Sequence, residues 1–461
     1  ADGFRVDQLF DVARQLDDAA QQHLRKLARD YLNNPRLSRS EEKKLWSAVF
    51  GYLELFTAVG ERCLSRLEEN PKGDKGVDAL KAHLPILAAR TAAALGQMVK
   101  WVGFRYGPVH GGLWQRLGRV YLTADAGKAA TKPLQLYPNV QGATTVTAEY
   151  LHALVLHASS TDSLMPLEIE LADRLVAHFL AGFDFSTEVK DSSVYWVDAG
   201  RAQGPMRMAK LPQAMTPTLR FFSPGSVPKA LEALIHQVER GELPESLNLG
   251  AQYQVRAILP VLRHLATYWA PQPPLREHQR HSVKTRLAVL HGFDDSFTVF
   301  AGDVARIGKE RAAESWVVEN VSLGGFGAAI ESLRGDWLKV GSLLSMQPEG
   351  GENWVLGIVR RYVRDSEAHA SVGIQTLARQ AVSVQLLPRA STYGATDIPG
   401  IRLPEDRNAG EIRLVLPVAT FDVRESLECQ QGERRFLLTP IELVEAGSDF
   451  EIARYRELVE E

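Results

Sequence analysis

Apolar residues at Leu9, Ala13, Leu16, Ala20, Leu24, Leu27 and Tyr31 recur at gaps of three and four, the period that lays one stripe along an α-helix. The opposite face is charged. A proline stop in NNPRL follows, and Ser38 and Glu41 then stand at capping-box spacing ahead of a second apolar-periodic run. The same period carries helices to about residue 182, with breaks near 70–76, 107–112 and 125–143.

The pattern changes at 183–225, where alternating apolar residues and Gly/Pro breaks predict two or three short strands set into the helical part. Helical periodicity returns from about Lys229 to Tyr268, and APQPPL (Ala270 to Leu275) reads as a stiff linker because its prolines exclude helix. After the linker come short runs with regular turn signals: VKTRLAVLHG, DSFTVFAG, SWVVENVS, GAAIE, GSLLSMQP, NWVLGIVRRYV and HASVGIQTL. They predict strands of a barrel or sandwich, and Glu411 to Tyr455 predicts several more. The expected organisation is a helical domain over 1–182, a small β element followed by helices of the same domain over 183–269, a barrel with a linker arm over 270–390, and a β-rich extension or second small barrel over 391–461.

A chain of 461 residues with 45% hydrophobic and 24% charged content has the make-up of a multidomain globular protein. Lys plus Arg number 53 against 56 Asp plus Glu, so no whole-chain basic field exists to hold a nucleic-acid polymer, and any anion site must be local. The two cysteines, Cys63 and Cys429, lie far apart, which argues against a disulfide framework or thiolate metal site and predicts a reducing, cytoplasmic setting. The polar N-terminus lacks a secretion signal and no long apolar run is present, so membrane insertion is not expected.

Local chemistry concentrates in two motifs. Arg276 and Arg280 stand four apart immediately before the first strand run. Forked guanidiniums so placed suit either a solvated helix end or a clamp for a small anion. The spacing alone decides nothing, since Arg62 with Arg66 and Arg360 with Arg364 repeat it. Further on, ENVSLGGFGAAI sets Asn320, Ser322 and Gly325 in N-x-S-x-x-G directly after an apolar strand, a tight turn that offers an amide, a hydroxyl and free backbone N–H groups together.

With both motifs in this order, residues 275 to 385 resemble the PilZ domain family of bacterial cyclic di-GMP receptors, whose signature is R-x-x-x-R before the first barrel strand and [D/N]-x-S-x-x-G on a later one. VLGIVRRYV and ASVGIQTL are similar to the family's barrel-closing strands. The resemblance implies that Arg276 and Arg280 contact the guanine faces and phosphates of the dinucleotide. Asn320 and Ser322 would hydrogen-bond a guanine edge or its phosphate, and Gly325 would admit the backbone closely. The stretch between the motifs is longer than the family's, and the extra length is expected in 301–314 as a loop or short helix. In the helical half, WQRLGRVY (Trp114, Leu117, Gly118, Tyr121) resembles the opening of a tetratricopeptide repeat, in which the small residue lets one helix pack closely on its partner. A second copy is missing, so bundle and repeat array both stay open.

Other candidates are weaker. HGG at His110 to Gly112 lacks a nucleophile elbow and reads as a helix-breaking turn. His152, His157 and His178 lack metal-ligand spacing, and His278 and His281 read as bystanders beside the arginines. No catalytic residue, metal site or cofactor is expected. The leading reading is a non-catalytic cyclic di-GMP receptor that passes the signal through the helical domain to a protein partner. The alternative is an interaction scaffold whose PilZ-like barrel no longer binds nucleotide, and an enzyme ranks third.

Overall fold

The computed structural model describes residues 5–34, 37–69, 75–140, 142–247, 249, 253, 255–272, 278–303, 313–332, 335, 337–366, 369–389, 397–404, 410–431 and 434–460. The chain divides into two units, Ala1–Leu275 and Arg276–Glu461.

The first unit begins with α1 (Val6–Asn33), α2 (Arg39–Glu69), α3 (Lys75–Ala82), α4 (Leu84–Gly103), α5 (Gly111–Ala126), α6 (Val146–Ala158) and α7 (Pro166–Phe179). The predicted capping box starts α2, with the Ser38 N–H donating to Glu41 Oε2 at 3.0 Å and the Glu41 N–H donating to Ser38 Oγ at 3.3 Å. Helix α4 is apolar on most sides and rich in small residues (Leu87, Ala88, Ala92, Leu95, Val99 are buried), which lets α2, α5, α6 and α7 close around it. Among the described residues no helix is long and apolar enough to cross a membrane.

The stripe expected on α1 is broken at its middle. Leu16 is 64% exposed, while Asp17 beside it is 2% exposed, because Arg90 of α4 reaches into this interface. Arg90 lies 3.3 Å from Asp17 and 2.7 Å from Asp18, and it also donates to the Leu136 carbonyl at 2.9 Å. A buried guanidinium needs such partners, so an acid displaces the leucine from the seam.

The inserted element is a four-stranded sheet of β1 (Asp184–Ser186), β2 (Tyr195–Asp198), β3 (Met206–Arg207) and β4 (Leu219–Ser223), in the order β1-β4-β2-β3. Helices α8 (Val227–Glu239) and α9 (Val255–Trp269) follow. A Cβ on Gly118 of α5 would overlap the Ala199 carbonyl just after β2, so the small residue of WQRLGRVY makes room for the sheet's connection.

The second unit holds two closed antiparallel barrels. The first comprises β5 (His281–His291), β6 (Glu314–Ser322), β7 (Gly325–Ile330), β8 (Leu343–Pro348), β9 (Val355–Arg364) and β10 (Ala370–Ala378), in the closed order β10-β7-β6-β5-β8-β9. The second comprises β11 (Val382–Pro388), β12 (Ile398–Arg402), β13 (Glu411–Pro417), β14 (Leu427–Gln431), β15 (Arg434–Ala446) and β16 (Phe450–Glu460), closed as β11-β12-β13-β16-β15-β14. Strand β11 pairs with β12 and β14, so the second barrel begins at Val382.

One expected strand is a helix. DSFTVFAG forms most of α10 (Phe293–Phe300) between β5 and β6. Phe293, Phe297 and Phe300 all pack into one cluster with Leu343 and Leu356 of the first barrel and Ile401, Val415 and Phe450 of the second. That i, i+4, i+7 spacing is helical, and the Phe297-x-Val299 alternation inside it imitates a strand. The Phe293 N–H donates to Asp449 at 2.8 Å and Ser383 donates to the Phe297 carbonyl at 2.6 Å, so α10 ties the two barrels together. Part of the extra length between the motifs is therefore α10. Residues 304–312, within the stretch expected to carry it, lie outside the described residues.

Candidate functional site

Strands β6 and β7 form a hairpin whose two-residue turn is Leu323–Gly324, closed by the Ser322–Gly325 pair. Strand β5 runs antiparallel beside β6, with His281 opposite Val321 and Ser282 opposite Asn320. Continuing this register backwards brings Arg280 level with Ser322 and His278 level with Gly324. The last of these is seen directly: a Cβ on Gly324 would lie 3.1 Å from His278 Cδ2. Residues 278–280, immediately before β5, thus lie along the turn that carries the N-x-S-x-x-G residues.

Each motif residue has a distinct local role. Pairing slips by one residue at Glu319, and β5 also slips between Ser282 and Thr285. Such bulges redirect a side chain at the rim of a barrel, here Asn320. Its carboxamide lies over Gly327, where a Cβ would come within 2.6 Å of both Oδ1 and Nδ2. Ser322 Oγ donates across the turn to the Gly325 carbonyl at 3.4 Å. A Cβ on Gly325 would overlap the Ile374 carbonyl of β10, so only glycine lets the hairpin seat against that strand. The next strand contact confirms the seating, since the Thr376 N–H donates to the Gly324 carbonyl at 3.0 Å.

The structure brings Arg280, Asn320, Ser322 and Gly325 to one end of the first barrel. Arg276 lies outside the described residues. Arg280 is exposed, and among the described residues it makes no hydrogen bond or ion pair. The arrangement offers one unengaged guanidinium beside an amide, a hydroxyl and a glycine turn. His278, expected to be a bystander, packs on that turn. Its signal was in the sequence only as spacing from Gly324, which no local pattern exposes.

Arg360 shows what a structural arginine of the same spacing looks like. It donates to Gln375 at 2.6 Å and clasps Glu445 of β15 through both terminal nitrogens, at 2.5 and 2.7 Å. The candidate histidines of the helical unit have structural partners too. His152 bonds Asp173 at 2.8 Å, and His157 sits edge-on to Trp114, where burial pushes its pKa down to about 4. His178 lies against Phe179. Among the described residues no group of His, Cys, Asp and Glu is arranged to hold a metal ion.

Gly325→Ala is expected to lower the stability of this unit by about 1–3 kcal/mol through overpacking against Ile374, read as a shifted urea midpoint. An unchanged midpoint would show that β10 moves aside without cost.

Residues 1–189 match the family model described as the N-terminal domain of the cyclic-di-GMP receptor FimW, a match that takes in α1 to α7 and ends just after β1. No curated protein matches the chain.

Proposed function

We propose that the chain is a non-catalytic cyclic di-GMP receptor that takes the dinucleotide on a PilZ-like first barrel. It would work in the cytoplasm and pass the signal to a protein partner through the helical unit. The observation that supports the reading is the β5–β6 register, in which His281 lies opposite Val321 and Ser282 opposite Asn320, a register that would put Arg280 opposite Ser322 if it continued one residue further. The match of residues 1–189 to a cyclic-di-GMP receptor's N-terminal domain supports it independently.

In this reading Arg280, with Arg276, pairs its guanidinium fork with phosphate or with guanine O6 and N7, and its plane stacks on a purine. Asn320 and Ser322 bond a guanine edge or phosphate oxygen, and Gly325 holds the turn close enough for backbone N–H groups to take part. Binding signals only through its differential affinity for two arrangements of the protein.

Isothermal titration of the full chain with cyclic di-GMP tests the reading. Micromolar or tighter affinity is expected, and absence of heat at about a hundred micromolar ligand overturns it. Ser322→Ala is expected to weaken binding by about 0.5–1.5 kcal/mol, the net worth of one hydrogen bond, in the same titration.

A further inference from the structure

The small sheet of the helical unit has two unlike faces. Tyr195, Val197 and Phe222 join the helical core, whereas Trp196, Leu219 and Phe221 form a separate cluster that Met206 and Met208 partly cover. Beside this outer cluster is a recess of about 140 Å³, lined among others by Trp196, Asp198, Arg201, Met206, Lys210 and Leu211. That is well below the roughly 300–1,000 Å³ of sites that enclose a drug-sized ligand and suits a single large apolar side chain.

The walls are fixed. Trp196 Nε1 donates to the Lys210 carbonyl at 2.6 Å. Asp198 accepts from Thr218 at 2.5 Å, Thr216 at 3.0 Å and the Gly200 N–H at 3.0 Å, so its carboxylate is largely satisfied from within. On the lip, Leu211 is 67% exposed. An apolar side chain this exposed beside a formed recess suits a contact surface.

Charge indicates what fits there. From 199 to 220 the chain has no Asp or Glu and four cations, Arg201, Arg207, Lys210 and Arg220. Two are engaged inside the unit: Arg207 donates to the Tyr268 and Ala270 carbonyls at the end of α9, and Arg220 bonds Tyr121 and Asp125 at 2.9 Å each. On the rim, Arg201 is 61% exposed and pairs with Asp198 at 3.3 Å, and the exposed Lys210 stands there with no side-chain partner among the described residues. We propose that this recess docks a partner protein's segment that inserts one apolar side chain and flanks it with acidic residues. The surface lies beyond the family match to 1–189, and the proposal does not depend on nucleotide binding.

The test uses the full chain without nucleotide and a set of short fluorescent peptides. Each carries Leu, Met or Phe at the centre and either acidic or basic flanks, with an Ala-centred acidic control. Acidic peptides with an apolar centre are expected to bind, with about tenfold weaker affinity for Lys210→Glu and for Leu211→Ala and clear weakening by salt. Both changed residues are exposed, so thermal unfolding should match wild type. Binding by none of the acidic peptides at about millimolar concentration, equal binding of basic peptides, or equal binding by both variants overturns the proposal. Concentration-dependent dimerisation that Leu211→Ala abolishes also overturns it and assigns the face to a second copy of the chain.

Discussion

Arg280→Ala is expected to weaken cyclic di-GMP binding by about ten- to a hundredfold while the barrel unfolds at the wild-type temperature. A hydrogen bond to a charged group contributes about 1.5–3 kcal/mol, and each 1.4 kcal/mol is about tenfold in affinity. The stability side follows from exposure: Arg280 is at the surface with no partner among the described residues, and such substitutions cost within about 0.5 kcal/mol. Arg280→Lys should fall between, since it keeps the charge but loses the planar fork. Titration and thermal unfolding on the three proteins separate the roles. Wild-type affinity in Arg280→Ala would remove the residue from the site, and early unfolding would make it structural, as Arg360 is.

Periodicity exposed the helices and most of the barrel strands because each such element buries one regular face. It failed where a face is shared by two neighbours. The phenylalanines of α10 are buried (Phe293) or partly buried (Phe297, Phe300) between two barrels, and over so short a run Phe297 and Val299 read equally as alternation. On α1, the exchange of Leu16 for Asp17 at the seam follows from Arg90, a residue on another helix, which no window on α1 contains. The candidate site divides the same way. Its residue types were legible as two motifs, but the alignment of arm and turn is a matter of register and bulges, which spacing along the chain does not carry. The outer recess did leave a trace, the acid-free run from 199 to 220, whose meaning depends on knowing which of its four cations are already engaged.

The Gln375 side chain, on the strand position opposite Gly325, is held by Arg360, which also grips Glu445 of the second barrel. Together with α10, this makes the two barrels one body around the candidate site's far side. Strand β10, against which the turn is seated, is thus braced from the second barrel.

The helical unit should respond most to loss of Lys100. Its ammonium lies 2.8 Å from Glu170 and 2.7 Å from Asp173, and His152 bonds the other oxygen of Asp173 at 2.8 Å. Burial alone would raise the Asp173 pKa, but the charges of Lys100 and His152 outweigh it and hold the carboxyl below its ordinary value. Burial likewise opposes a charged His152, and the charge and hydrogen bond of Asp173 outweigh it, raising the imidazole pKa. Lys100→Met leaves two acids in a buried seam without their main cation, a change that costs about 3–5 kcal/mol. The sign of the pH dependence is specific. In the wild type the depressed Asp173 contributes stability above about pH 3.8, its unfolded value, and that contribution is lost as acid protonates it. His152 contributes fully below about pH 6.5 and its contribution fades as pH rises through its raised folded value. In Lys100→Met the Asp173 carboxylate loses its main cation and its folded pKa rises towards the unfolded value, so part of the stabilisation that ionised Asp173 gave is lost and the deficit is expected to be smaller at about pH 4 than at about pH 7. Urea unfolding of both proteins at these two pH values reads the difference, and a deficit independent of pH would show that Lys100 acts through packing of its alkyl chain alone.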